Sequence, residues 1–131
     1  MNEHEKMFVR SFVTSSKRER YLEQFGSEKG RRKLTAALDH FADLDVRWTK
    51  AIPSDLQTPQ AISELLLSKG APLDCFVLSS NADLDGKEIK LKDALDQTVG
   101  YGAGTYISCV PGKLGYFESS DISDRVILEK R

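Results

Sequence analysis

LDCFVLSS (73–80), NADLDG (81–86), LKDALDQTV (91–99), GYGAG (100–104), TYISCV (105–110) and LGYFES (114–119) follow one another through the middle of this chain. They read as strand, acidic turn, helix, glycine loop, strand and strand. The strand cores are continuously apolar rather than alternating, as expected for a sheet covered on both faces. In the helix, Leu91, Ala94, Leu95 and Val99 share one side, with Asp93 and Asp96 opposite.

Downstream, Pro111-Gly112 suits the centre of a tight turn and predicts a hairpin of 105–110 with 114–118. A polar loop over 119–124 then leads to a last strand, Arg125–Glu129. Upstream, Thr58-Pro59 joins a cap hydroxyl to proline at a first helical position. That helix buries Ala61, Ile62, Leu65 and Leu66 and stops at Lys69-Gly70 before Pro72. Asp45–Ile52 alternates around Val46 and Trp48, which predicts a half-wet or edge strand.

Before it, Leu34, Ala37, Leu38 and Phe41 mark a helix from Ser27 to about Ala42. Another helix, Lys17 to Phe25, follows Ser16 and Glu19 at capping-box spacing and ends at Gly26. Met7–Val13 reads as a short strand, and residues 1–6 as a frayed polar tail. The order is β-α-α-β-α-β-α-β-β-β. It predicts one globular domain over 1–131 of α/β class, a mixed sheet of about six strands including parallel pairs, with α+β as the alternative.

At 131 residues, 40% hydrophobic and 30% charged, the chain has the makings of an ordinary soluble domain. No apolar run approaches the roughly 20 residues that span a bilayer, so no membrane partner is expected. The start, MNEHEK, resembles neither a secretory signal nor a mitochondrial presequence, and a cytoplasmic location is expected. Cys75 and Cys109 sit among apolar strand residues and read as buried reduced thiols. A disulfide between them requires their strands to be neighbours.

Charge is uneven. Residues 1–35 hold nine Lys/Arg against five acids, and residues 36–131 hold ten against fifteen. Lys17, Arg18 and Arg20, with Lys29, Arg31, Arg32 and Lys33, form the densest basic cluster. Two consecutive basic helices suit a phosphate backbone or another anionic ligand. They equally suit a solvated face, or a patch that meets the acidic half of a second copy. No recognition helix follows the loop at Gly26–Gly30, so helix-turn-helix does not fit.

Asn81, Asp83, Asp85 and Gly86 match the opening of a calcium loop, which makes Asp83 and Asp85 candidate metal ligands. The match fails further on, where Lys92 stands in place of the bidentate glutamate and Glu88 in place of the apolar anchor. Asn, Asp and Gly also make plain turns. Glu88 and Lys90 extend the same loop toward a metal-dependent hydrolytic arrangement. Gly100, Gly102 and Gly104 invite an anion-cradling reading, since bare amides can close on a negative charge. The loop follows a helix and opens a strand, the reverse of a dinucleotide fingerprint, so helix termination is the plainer account. Tyr101 and Tyr106 flank it and either line a pocket or pack. His40 with a serine or cysteine is the one nucleophilic pairing to consider. No cofactor motif is present.

The expectation is a small non-catalytic binding or protein-interaction module, self-associating through strand 45–52 or the last strand. The alternatives are nucleic-acid or nucleotide binding through the basic helices 17–33, and a metal-dependent enzyme built on the loop 81–90.

Overall fold

The computed structural model describes residues 1–121 and 124–130. Six strands form one sheet: β1 (Thr49–Ala51), β2 (Asp74–Ser79), β3 (Glu88–Lys90), β4 (Thr105–Val110), β5 (Leu114–Glu118) and β6 (Val126–Glu129). Their order across the sheet is β1-β6-β5-β4-β2-β3. Helices α1 (Glu3–Phe12), α2 (Arg18–Gln24) and α3 (Glu28–Ala37) cover one face, and α4 (Pro59–Ser68) and α5 (Leu91–Thr98) the other. Among the described residues no helix is long and apolar enough to cross a membrane.

The expected combination of helices with a six-stranded sheet holds. Successive residues of β2 feed opposite cores. Phe76 and Leu78 join Phe8, Phe12 and Leu34 on the α1–α3 side, while Cys75 and Val77 join Ile62, Leu66 and Leu95 on the other. A sheet buried twice must be apolar at every position, which is the pattern the central stretch carries.

Among the described residues the parallel pairs do not occur, and the sheet is not mixed: every pairing is antiparallel. β1 and β2, joined through α4, do point the same way, but β6, β5 and β4 are inserted between them. The reversal comes from β3, a three-residue return strand after the acidic turn that pairs with β2. It turns the chain so that α5 leads back into β4 antiparallel to β2. Three residues are too few for a period to register in the sequence.

Two other elements differ from expectation. Met7–Val13 is not a strand, and residues 1–6 are not a frayed tail: α1 begins at Glu3. Asn2 caps it, accepting from the Glu5 amide, and the Glu5 carboxylate accepts in return from the Asn2 amide. Phe8 and Phe12, four apart, fit either period, but buried Val9 beside Phe8 fits only a helical stripe. Over 45–52, only Thr49–Ala51 pairs, with β6. Asp45 accepts from the Arg47 amide at 3.2 Å and bends 46–48 into a 3-10 turn, a local bond that competes with extended backbone.

Other boundaries shift less. The Ser16–Glu19 capping box is not formed at the start of α2, and the second basic helix ends at Ala37 with a 3-10 turn over Leu38–His40. Helix α4 starts as read, with Thr58 Oγ1 accepting from the Ala61 amide and proline in the first turn. The loop expected over 119–124 lies partly outside the described residues. Both edges of the sheet are three-residue strands, and β6 is interior, so the last strand leaves no open edge.

Candidate functional site

The basic helices pack closely because Gly30 lies at their crossing. A Cβ there would stand 2.3 Å from the Gln24 carbonyl oxygen. Ser27 caps α3, its hydroxyl accepting from the Gly30 amide at 3.0 Å. From α3, Arg31 turns inward rather than toward solvent. Its guanidinium stacks 5.7 Å from the Phe25 ring centroid and pairs with Glu5 of α1 and Asp85 of the acidic turn. Arg18 also turns in, donating from Nε to the Val13 carbonyl at 2.9 Å, with Asp45 4.0 Å away. Arg20, Lys29, Arg32 and Lys33 stay exposed, and Lys17 is half-buried. Arg20 lies 5.6 Å over the ring of Tyr21, whose phenol burial and an acidic neighbour, Asp43, push up to about 12. Between α2 and α3 runs a groove of about 370 Å³ lined by Arg20, Lys29, Lys33, Glu23, Ser27 and Gly30.

The acidic turn is the hairpin between β2 and β3. Asp83 is exposed, and its amide donates to the Asn81 side chain at 3.0 Å, an ordinary Asx turn. Leu84 plugs the α4–α5 core, 2% exposed. Asp85 points back, accepting from the Ser79 amide at 2.9 Å and from Arg31. A hard cation would need these oxygens, which already hold a guanidinium and an amide. Among the described residues no group of three or more His, Cys, Asp or Glu is arranged to hold a metal ion.

The glycine loop does cradle an anion, and that anion is the chain's own Glu118. Gly100 and Gly102 stand at φ of +89° and +78° and aim their amides at its carboxylate, at 3.0 to 3.2 Å. Glu118 is fully buried at the end of β5, with the Tyr116 hydroxyl donating at 2.8 Å and Arg125 Nε 3.5 Å away. Gly104 has a different partner: its amide donates to Asp39 Oδ1 at 2.7 Å, which also accepts from Ser80 Oγ at 2.6 Å. Tyr106 is buried, 4.4 Å from the Phe8 centroid, whereas Tyr101 is exposed, so they do not share a pocket.

His40 does meet a serine: Ser120 Oγ is 3.3 Å from its Nδ1, both exposed. The Ser120 hydroxyl donates to the Asp39 carbonyl, so its proton points away from the imidazole that a nucleophilic dyad would use. His4 is no tail residue. It stacks on Phe76 and hydrogen bonds Ser108 at 2.7 Å, and burial lowers its pKa.

The structure thus brings together Arg31 and Asp85, which the sequence suggested for separate roles, while the glycine-loop amides go to other carboxylates, Glu118 and Asp39. The sequence reading missed Glu5, Asp39 and Glu118. Glu118 left a signal: two residues after Tyr116, it falls on a strand face that is otherwise apolar, where a carboxylate requires internal donors. Asp39 left none, because its partners lie 41 and 65 positions away. No protein-family model, no curated protein and no solved structure matches the chain.

Proposed function

We propose that this is a small non-catalytic binding module, working in a cytoplasmic setting, whose α2–α3 groove takes an anionic partner, nucleic acid first. One observation carries the reading. Arg20, Lys29 and Lys33 line a single groove and, like Arg32 beside them, have no ion-pair partner among the described residues. Surface cations left unpaired around a concavity suit a chain of phosphates, which binds by releasing counterions. Glu23 on the same groove offsets part of that charge and argues for modest affinity.

The test is fluorescence anisotropy of labelled single- and double-stranded DNA and RNA across a salt series. Wild type should bind at low salt and weaken steeply as salt rises. The triple variant Arg20→Glu, Lys29→Glu, Lys33→Glu should lose binding while keeping its thermal midpoint. Arg31 stays unmutated, because its loss would confound binding with folding. Absence of binding at low salt, or equal binding by the triple variant, sinks the reading.

A second reading has its own support. Val46, 77% exposed, rims a groove of about 290 Å³ over Phe41, Leu44, Phe117 and Val126, and an apolar hollow with polar borders suits a protein partner or a second copy. Light scattering over a concentration series, with Val46→Asp as control, tests self-association there. A mass that stays monomeric at high concentration removes the second-copy version.

A further inference from the structure

Cys75 and Cys109 lie on neighbouring strands, and the register sets them face to face. β2 and β4 pair Phe76 with Ser108, Val77 with Ile107, Leu78 with Tyr106 and Ser79 with Thr105. One further step in the same register places Cys75 opposite Cys109. Both are reduced, 4% and 3% exposed, and belong to the α4–α5 core, so their side chains leave the same face of the sheet.

The type of pair follows from the hydrogen bonds. The Ser80 amide donates to the Gly104 carbonyl, which makes Ser80–Gly104 a hydrogen-bonded pair. Alternation along an antiparallel ladder then puts Ser79–Thr105, Val77–Ile107 and Cys75–Cys109 in the non-hydrogen-bonded class. Independently, the Val77 amide donates to Lys87 of the β3 side, so the backbone groups of Val77, and by parity those of Cys75, face away from β4. Non-hydrogen-bonded partners approach to a Cα separation of about 4.5 Å, inside the roughly 4.4–6.8 Å window of disulfides. Ser79 and Thr105, of the same class and on the same face, already bring their hydroxyl oxygens to 2.8 Å.

Two further features favour closure. The pairing of β4 with β5 shifts between Ser108 and Val110, which makes Cys109 the extra residue of a bulge, unpaired on that side. Both cysteines also line a hollow of about 330 Å³ at the end of the sheet, whose rim includes Leu73, Asp74 and Glu88, all exposed.

We infer that Cys75 and Cys109 form a redox-sensitive dithiol that a small-molecule disulfide such as oxidised glutathione closes into a cross-strand bond. The chemistry is thiol–disulfide exchange. The thiolate of one cysteine, its proton passed to solvent, attacks a sulfur of the small disulfide, whose S–S bond breaks and releases one small thiol. The second cysteine's thiolate then attacks the first cysteine's sulfur, forming the Cys75–Cys109 bond and expelling the other small thiol. Two protein thiols are oxidised and one small disulfide is reduced. Burial pushes the Cys75 thiol up to about 12 and the Cys109 thiol further, so exchange waits on opening at this end of the sheet. The bond, once made, ties the two central strands together.

The test refolds the full chain from denaturant in buffers of reduced and oxidised glutathione, so that burial cannot shield either thiol. Species are trapped with an alkylating reagent and mapped by mass spectrometry without reduction. The expected product is monomeric, two hydrogens lighter, with the peptides holding Cys75 and Cys109 linked. It should melt several degrees above the reduced protein, return to the reduced midpoint with dithiothreitol, and be missing in Cys75→Ser and Cys109→Ser. Thiols still reduced in the most oxidising buffer, glutathione retained on either cysteine, or links only between copies would overturn the inference. A linked monomer that melts below the reduced protein would overturn it as well, since the inference is of a bond that the native register accommodates.

Discussion

Arg31 Nη2 donates to both carboxylate oxygens of Asp85, at 3.0 and 3.1 Å, and so fastens α3 to a turn 54 positions further along the chain. The same guanidinium pairs with Glu5, 6% exposed on α1. One side chain therefore ties α1 and α3, two helices of one layer, to the β2–β3 turn of the sheet. Its removal strands a buried carboxylate. Arg31→Ala should lower stability by about 2–3 kcal/mol, somewhat under the range for a wholly buried pair because Arg31 is itself 25% exposed. Arg31→Lys should recover less than half, since a single ammonium cannot serve two carboxylates in a fork. Urea unfolding midpoints at constant m-value measure both.

The three loop glycines are required for different reasons and should fail to different degrees. A Cβ on Gly104 would stand 2.1 Å from the Leu38 carbonyl carbon, a backbone atom that cannot yield without moving the 3-10 turn. Gly102→Ala meets nothing and only forces a side chain into the left-handed region. Gly104→Ala should cost about 3 kcal/mol or more, against about 1–2 for Gly102→Ala. Equal losses in thermal melts would contradict this ranking.

Glu118→Gln keeps the shape of the side chain and changes the pattern of donors. The carboxylate accepts from Gly100, Gly102 and Tyr116 and lies beside Arg125, whereas an amide must turn a donor toward one of them. A loss of about 2–4 kcal/mol is expected. Amide exchange should show Gly100 and Gly102 losing protection ahead of the β4–β5 core.

Hydrogen bonds from Arg47 hold the Asp45 carboxyl down to about 2, against burial that pushes it the other way. A depressed folded value stabilises the native state above the ordinary carboxylate pKa, and that contribution disappears as pH falls from about 4 through about 2. An NMR titration of Asp45 should show its midpoint near 2, and Arg47→Ala should move it toward 3.8. A midpoint unmoved by the substitution would count against this pairing.

Legibility in the sequence followed range. Helix α4 was readable because Thr58, Pro59 and Gly70 act on their immediate neighbours, and β2, β4 and β5 because burial on both sides leaves an unbroken apolar run. β3 was hidden by its length. α1 was misread because Phe8 and Phe12 satisfy two periods at once. Among the site residues, the glycine loop invites both an anion cradle and helix termination, with termination the plainer account. Local sequence cannot supply the carboxylate, which lies 16 to 18 residues later. Arg31 looked like its neighbours Arg32 and Lys33, and only the packing of α3 separates the inward cation from the outward ones.

The position of β6 governs when the sheet can be finished during synthesis. β1 leaves the ribosome first of the six strands and has one strand neighbour, β6, which leaves last. Until then β1 lacks the strand it pairs with, and β5 shows an unprotected side along Leu114–Phe117. The nascent chain therefore carries an incomplete sheet until β6 has emerged, and its closure comes as one step that joins β1 to β5. A polypeptide arrested before Val126 would expose an apolar edge in the middle of the finished sheet rather than at its margin, the kind of surface that holding chaperones retain.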